Sequence, residues 1–94
     1  MIPDDVYIQK AVAGDDKAFD ELIKRHRPKI YEVAYQMLGN PRDAESITYA
    51  SFSEARKHIK AFQGRTAFGT WMYRIAKNQC LQYQQTKVRL GVYS

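Results

Sequence analysis

An all-α fold, a compact bundle of about four helices, is what this sequence predicts, and three observations predict it. Gly14, Gly39 and Gly64 cut the chain into four segments, and the first two glycines are followed directly by good helix-start residues, Asp15 and Asn40. Within the later segments apolar residues recur at the three- and four-residue spacing of a helix face. No internal repeat, low-complexity tract or long linker interrupts this pattern.

The first segment, "DDVYIQKAVA", reads as a short helix. The second is the clearest: Phe19, Leu22, Ile23, His26, Ile30, Val33, Ala34 and Met37 fall on one stripe at 100° per residue, so this helix faces the core. Pro28 lies opposite that stripe, where it removes one backbone hydrogen bond and bends the helix without ending it. His26, inside the stripe with no second ligand nearby, reads as a packed or hydrogen-bonded core histidine.

The third segment opens on Asn40-Pro41, and proline suits the first helical position, where its missing N–H has no intrahelical partner to lose. Ala44, Ile47, Thr48, Ser51, Ala55, Ile59 and Phe62 form its inner stripe, with two hydroxyls in it. The opposite face carries Ser46, Tyr49, Ala50 and Ser53, then Lys57 and Lys60; its uncharged first half, with an exposed tyrosine, is a candidate docking surface. In the fourth segment Phe68, Met72, Ile75, Ala76, Gln79 and Tyr83 cluster on one side, and Thr70, Tyr73, Arg74, Lys77 and Gln84 on the other. Trp71, the sole tryptophan, falls near the boundary and reads as a core or flank residue.

Ninety-four residues fit one domain spanning 1–94, with a modest core and little room for a buried catalytic cleft. A single cysteine, Cys80, cannot form an internal disulfide, and with His26 and His58 as the only histidines no zinc-type cluster assembles. Phosphate-cradling glycine loops and nucleophile–base pairs are absent from the sequence, so no enzyme, metal or cofactor is expected. The start "MIPDDVYIQK" has no basic stretch followed by an apolar run, and no segment approaches bilayer-spanning length, so the expected setting is the cytoplasm, with no membrane partner.

Charge is unevenly distributed. Residues 1–47 carry seven Lys/Arg against nine Asp/Glu, while 48–94 carry eight against Glu54 alone, giving halves of −2 and +7. Such a split suits a basic half that faces a polyanion. Single-stranded nucleic acid binding needs cations along the phosphates, planar groups for stacking and a pocket for an unstacked base. Arg65, Arg74 and Lys77 supply the first and Tyr73 the second. The loop "FQGRTA" supplies the third: Gly64 permits a tight backbone path, and Gln63, Arg65 and Thr66 offer hydrogen bonds to a base edge. A basic amphipathic helix can also lie on an anionic membrane, but here the apolar face is small and committed to the core.

The run "GDDKAFDELIKRHRPKIYEVAYQMLGNPRDAES", then "SFSEA", then "FQGRTAFGTWMYRIAKN" resembles, in order and spacing, region 2 of bacterial sigma factors of the extracytoplasmic-function type. The similarity covers about residues 10–85, leaving 86–94 as a tail or the start of a linker. It implies a helical domain that docks on the clamp of core RNA polymerase and reads the promoter minus-ten element as melted non-template strand. By the resemblance, Ser46, Tyr49, Ala50 and Ser53 meet the polymerase. The loop from Phe62 to Ala67 captures a flipped base, and Tyr73, Arg74, Lys77 and Asn78 contact the strand. An anti-sigma factor is a further partner that the family admits.

Departures from the family pattern are equally specific. After "DAE" the family usually continues with an acidic residue, two aliphatics, glutamine and glutamate, whereas this chain has "SITYAS". A later tryptophan is replaced by Arg56, a serine by Gly69 and an aliphatic by Gln79. The paired aromatics that housekeeping sigma factors use for melting fall on Arg74 and Ile75. The 94 residues do not include the family's second DNA-binding domain, which reads the minus-thirty-five element. These differences leave an alternative open: a sigma-like interaction protein, a split subunit or decoy, with altered or lost polymerase docking.

Overall fold

The computed structural model describes residues 2–89 and contains helices α1 (Asp4–Val12), α2 (Asp16–Leu38), α3 (Pro41–His58) and α4 (Phe68–Arg89), with a 3₁₀ turn at Ile59–Ala61 after α3. Among the described residues there is no strand. At 1.5 Å per residue α2 is about 35 Å long, most of the molecule's 44 Å long axis, and it packs against each of the other three helices.

Local sequence explains the junctions. Asp15 accepts from the Lys17 and Ala18 N–H groups (3.0 and 3.2 Å), and Asn40 from those of Arg42 and Asp43 (2.8 and 3.1 Å), so each side chain satisfies two helix-start donors. Between α2 and α3 the chain reverses at Gly39, whose φ of 69° is left-handed and whose N–H donates to Tyr35 O at 2.8 Å. Pro28 sits exposed inside α2, which runs on through it.

Two adjoining clusters make the core. One joins α1, the first part of α2, the end of α3 and the start of α4, with Phe19, Leu22, Ile30, Phe52, Ile59, Phe68 and Met72 buried together. The other holds Ala34, Ala44, Ile47 and Cys80, flanked by Tyr31, Met37, Leu38 and Tyr83. The two hydroxyls in the α3 stripe are reconciled with burial by back-bonding within the helix: Thr48 Oγ1 donates to Ala44 O and Ser51 Oγ to Ile47 O, both at 2.7 Å.

Several expectations need correction. Phe52, left out of the α3 stripe, is buried, because it packs into the cluster that holds Phe19 and Leu22 of α2. Cys80, left out of the α4 stripe, is fully buried, and that burial raises its thiol pKa. Gln84, assigned to the outer face, is half-buried and donates to Met37 O at 3.2 Å. The third segment does not reach Phe62 as one helix: it tightens into the 3₁₀ turn after His58. Of residues 86–94, expected as a tail or the start of a linker, 86–89 continue α4 and 90–94 lie outside the described residues.

Candidate nucleic-acid interface

Three aromatic rings fix the two ends of the loop at residues 62–67. Phe62, extended after the 3₁₀ turn, meets Phe68 edge-on with centroids 6.0 Å apart and Trp71 at 5.0 Å, while Phe68 and Trp71 are 5.7 Å apart. Trp71 is half-buried, a flank residue as expected. Between these anchors Gly64 takes a φ of 72°, a conformation that side chains other than glycine's rarely adopt. Gln63 and Arg65 are exposed and Thr66 is half-buried.

The loop separates two hollows. On one side, a space of about 220 Å³ is bounded by the loop, Trp71 and Arg74. On the other, a cleft of about 650 Å³ lies between the loop and α1. Gln63, Arg65 and Thr66 line both, so the three polar groups are available to a ligand entering from either side.

Along the outer face of α4, Tyr73, Arg74, Lys77 and Asn78 are exposed. Among the described residues Arg65, Arg74 and Lys77 have no ion-pair partner, whereas Arg25, Arg56 and Lys87 are each paired with a carboxylate. The structure therefore brings the expected strand-contact residues onto one surface beside the loop, with unneutralised positive charge.

The α3 face is a separate surface. Ser46 is exposed, Tyr49 is 78% exposed, and Ala50 and Ser53 are half-buried. Tyr49 and Ser53 border a hollow of about 300 Å³ with Ile23 and Phe52 in its lining and two arginines, Arg27 and Arg56, beside them. Neither arginine was singled out for this face: Arg27 reaches it from α2, and Arg56, on α3 itself, read only as the replacement of a family tryptophan. Arg56 bonds Asp20 at 2.7 Å and Asp16 at 3.3 Å and lies 4.7 Å over the Phe19 ring. The hydrogen bond it donates to Asp20 chiefly raises its pKa, against a smaller opposing effect of burial.

α1 is the element whose part in the cleft the sequence did not disclose. Asp4 receives Arg25 Nη1 at 2.9 Å and His26 Nε2 at 2.8 Å, and Arg25 also stacks 4.8 Å over Tyr7, so four residues lock α1 against α2. Burial alone raises the Asp4 pKa, but the hydrogen bonds and charges of Arg25 and His26 outweigh it and hold the carboxyl below its ordinary value of 3.8. Thus docked, α1 presents Asp5, Ile8, Gln9 and Val12 to the cleft. His26, expected as a packed or hydrogen-bonded core residue, is both: its ring also lies 5.0 Å from Phe68.

Among the described residues no group of His, Cys, Asp and Glu is placed to hold a metal ion, and no helix is long and apolar enough to cross a membrane.

Comparison with known proteins gives a consistent outcome. The family model for sigma-70 region 2 matches residues 22–89. The chain is 39% identical over 71 residues to the ECF RNA polymerase sigma factor SigW of Bacillus subtilis, covering 76% of this chain and 38% of that protein. It is 32% identical over 83 residues to the ECF RNA polymerase sigma-E factor of Haemophilus influenzae, covering 88% and 43% respectively. The chain thus spans about two fifths of the length of these relatives. Among solved structures it is similar to an engineered region 2 of sigmaE, determined by NMR in complex with GTAAAA, with a TM-score of 0.88, 27% identity and coverage of 94% of this chain and 92% of that one.

Proposed function

The chain belongs to the sigma-70 region 2 family, and on that premise we propose that it is a transcription initiation domain, acting in the cytoplasm, that docks on the clamp of core RNA polymerase and reads the promoter minus-ten element as melted non-template strand. One observation carries the reading: three cations without ion-pair partners among the described residues, Arg65, Arg74 and Lys77, share a surface with exposed Tyr73 and a loop hollowed on both sides. Arg74 and Lys77 suit phosphates, Tyr73 suits base stacking, Asn78 suits the strand alongside, and Gln63, Arg65 and Thr66 suit the edge of one extruded base. The similar sigmaE domain, solved in complex with GTAAAA, supports binding of such a strand by this chain. Polymerase docking falls to Ser46, Tyr49, Ala50 and Ser53, and an anti-sigma factor is a second protein partner within this reading.

The test is binding of labelled single-stranded and duplex oligonucleotides containing GTAAAA, alongside co-elution with core polymerase. Preference for the single strand together with co-elution is the expected result. Binding to the strand without co-elution supports the alternative of a split subunit or decoy, which the uncharged "SITYAS" surface favours. Failure to bind the strand contradicts the proposal.

A further inference from the structure

We infer that α1 takes part in reading the extruded base, with Asp5 selecting for a base that carries an exocyclic amino group. This rests on the proposed single-strand function and goes beyond it, because the loop and α4 alone hold the groups assigned there. The larger of the two hollows beside the loop is the one that α1 closes, and its volume of about 650 Å³ lies within the roughly 300–1,000 Å³ typical of small-molecule sites. Ile8, Val12, Phe62 and Phe68 give it apolar surface for a planar ring. Asp5 and Gln9 face Gln63, Arg65 and Thr66 across it.

The chemistry of Asp5 is one-sided. A carboxylate only accepts hydrogen bonds, so it pairs with the amino hydrogens of cytosine, adenine or guanine and repels the oxo group that uracil or thymine presents in the corresponding position. Arg65, on the loop, only donates, and so complements the ring-nitrogen acceptors of the same base and, in cytosine or guanine, its carbonyl oxygen. Asp5 is exposed and, unlike Asp4 beside it, has no ion-pair or side-chain hydrogen-bond partner among the described residues. In the first turn of α1 its charge also favours the helix N-terminus, but a negative charge near a nucleic-acid strand opposes binding. Selectivity is the compensating role, since the carboxylate that weakens binding to every strand weakens it least where an amino group meets it.

That opposition supplies a distinctive test. Single-stranded oligonucleotides built on GTAAAA, each with one position changed among cytosine, uracil, adenine and purine (the adenine ring without its amino group), are titrated against the parent and against Asp5→Asn. At the extruded position the parent should prefer cytosine over uracil, and adenine over purine, by roughly tenfold. Asp5→Asn should bind most strands more tightly than the parent while losing most of that preference. A uniform gain in affinity with the preference intact overturns the inference, as does no change at all. Circular dichroism of the variant confirms that α1 is still folded. If the parent binds none of the strands, the underlying single-strand reading fails instead; if the parent binds and Arg65→Ala alters its preference but Asp5→Asn does not, only the role of α1 fails.

Discussion

Trp71 shows how far single residues could be read. Its position on α4 marked it as a boundary residue, and the structure gives it two aromatic neighbours, Phe62 and Phe68. Truncating a buried aromatic costs about 3–5 kcal/mol, and a half-buried one belongs at the low end. Trp71→Ala should therefore lower stability by about 3 kcal/mol in a denaturant titration, whereas Lys77→Ala should leave the midpoint unchanged. Equal midpoints for Trp71→Ala and the parent would assign the ring to the ligand surface instead. What periodicity missed at this scale were residues whose partners lie on another helix. Gln84 looked outward on the wheel, but the end of α2 comes close enough for its amide to bond Met37 O. Arg56 read only as a departure from a family tryptophan, and its aliphatic stem and guanidinium instead cover Phe19 and bridge two aspartates.

At the level of elements, the caps and glycines made the boundaries of α2 and the start of α3 legible, since those signals are local. How α1 docks was not legible, because it depends on Asp4 meeting Arg25 and His26 more than twenty residues away. This docking has a pH signature. Since the folded Asp4 pKa is lowered from 3.8, its contribution to stability is present above that value and lost as pH falls through the lower folded value. Thermal melts of the parent from neutral pH downward should show this loss, and Asp4→Asn should be less stable at neutral pH with the difference shrinking as the pH falls below 3.8. A difference that stays constant with pH would contradict the assignment. The α3 face carries a second prediction. With Ser46 and Ala50 where acidic residues are expected and Tyr49 in place of an amide, polymerase binding should respond weakly to salt. Ser46→Glu and Ala50→Glu should each strengthen it by about 0.2–1 kcal/mol and steepen the salt dependence. No response at either position would argue that this face does not dock.

For the whole molecule, the division of charge into an acidic-to-neutral half and a basic half is the feature composition disclosed, and the fold turns it into surfaces. Carboxylates of the first half pair with Arg25, Arg56 and Lys87, and among the cations without a partner in the described residues Arg65, Arg74 and Lys77 lie on the loop and outer α4 face. The central claim is that this surface divides its labour, α4 holding the phosphates and the loop reading a base. Fluorescence anisotropy on a panel of single-stranded minus-ten oligonucleotides, at several salt concentrations, tests it most directly. Arg74→Ala should weaken every oligonucleotide alike and reduce the slope of log K against log salt by about 0.7, the value for one phosphate on a single strand. Arg65→Ala should flatten preference at one position, by about 1–3 kcal/mol of discrimination, with unrelated sequences nearly unaffected. If Arg65→Ala weakens all sequences equally while Arg74→Ala changes preference at one position, the roles are reversed and the account is contradicted.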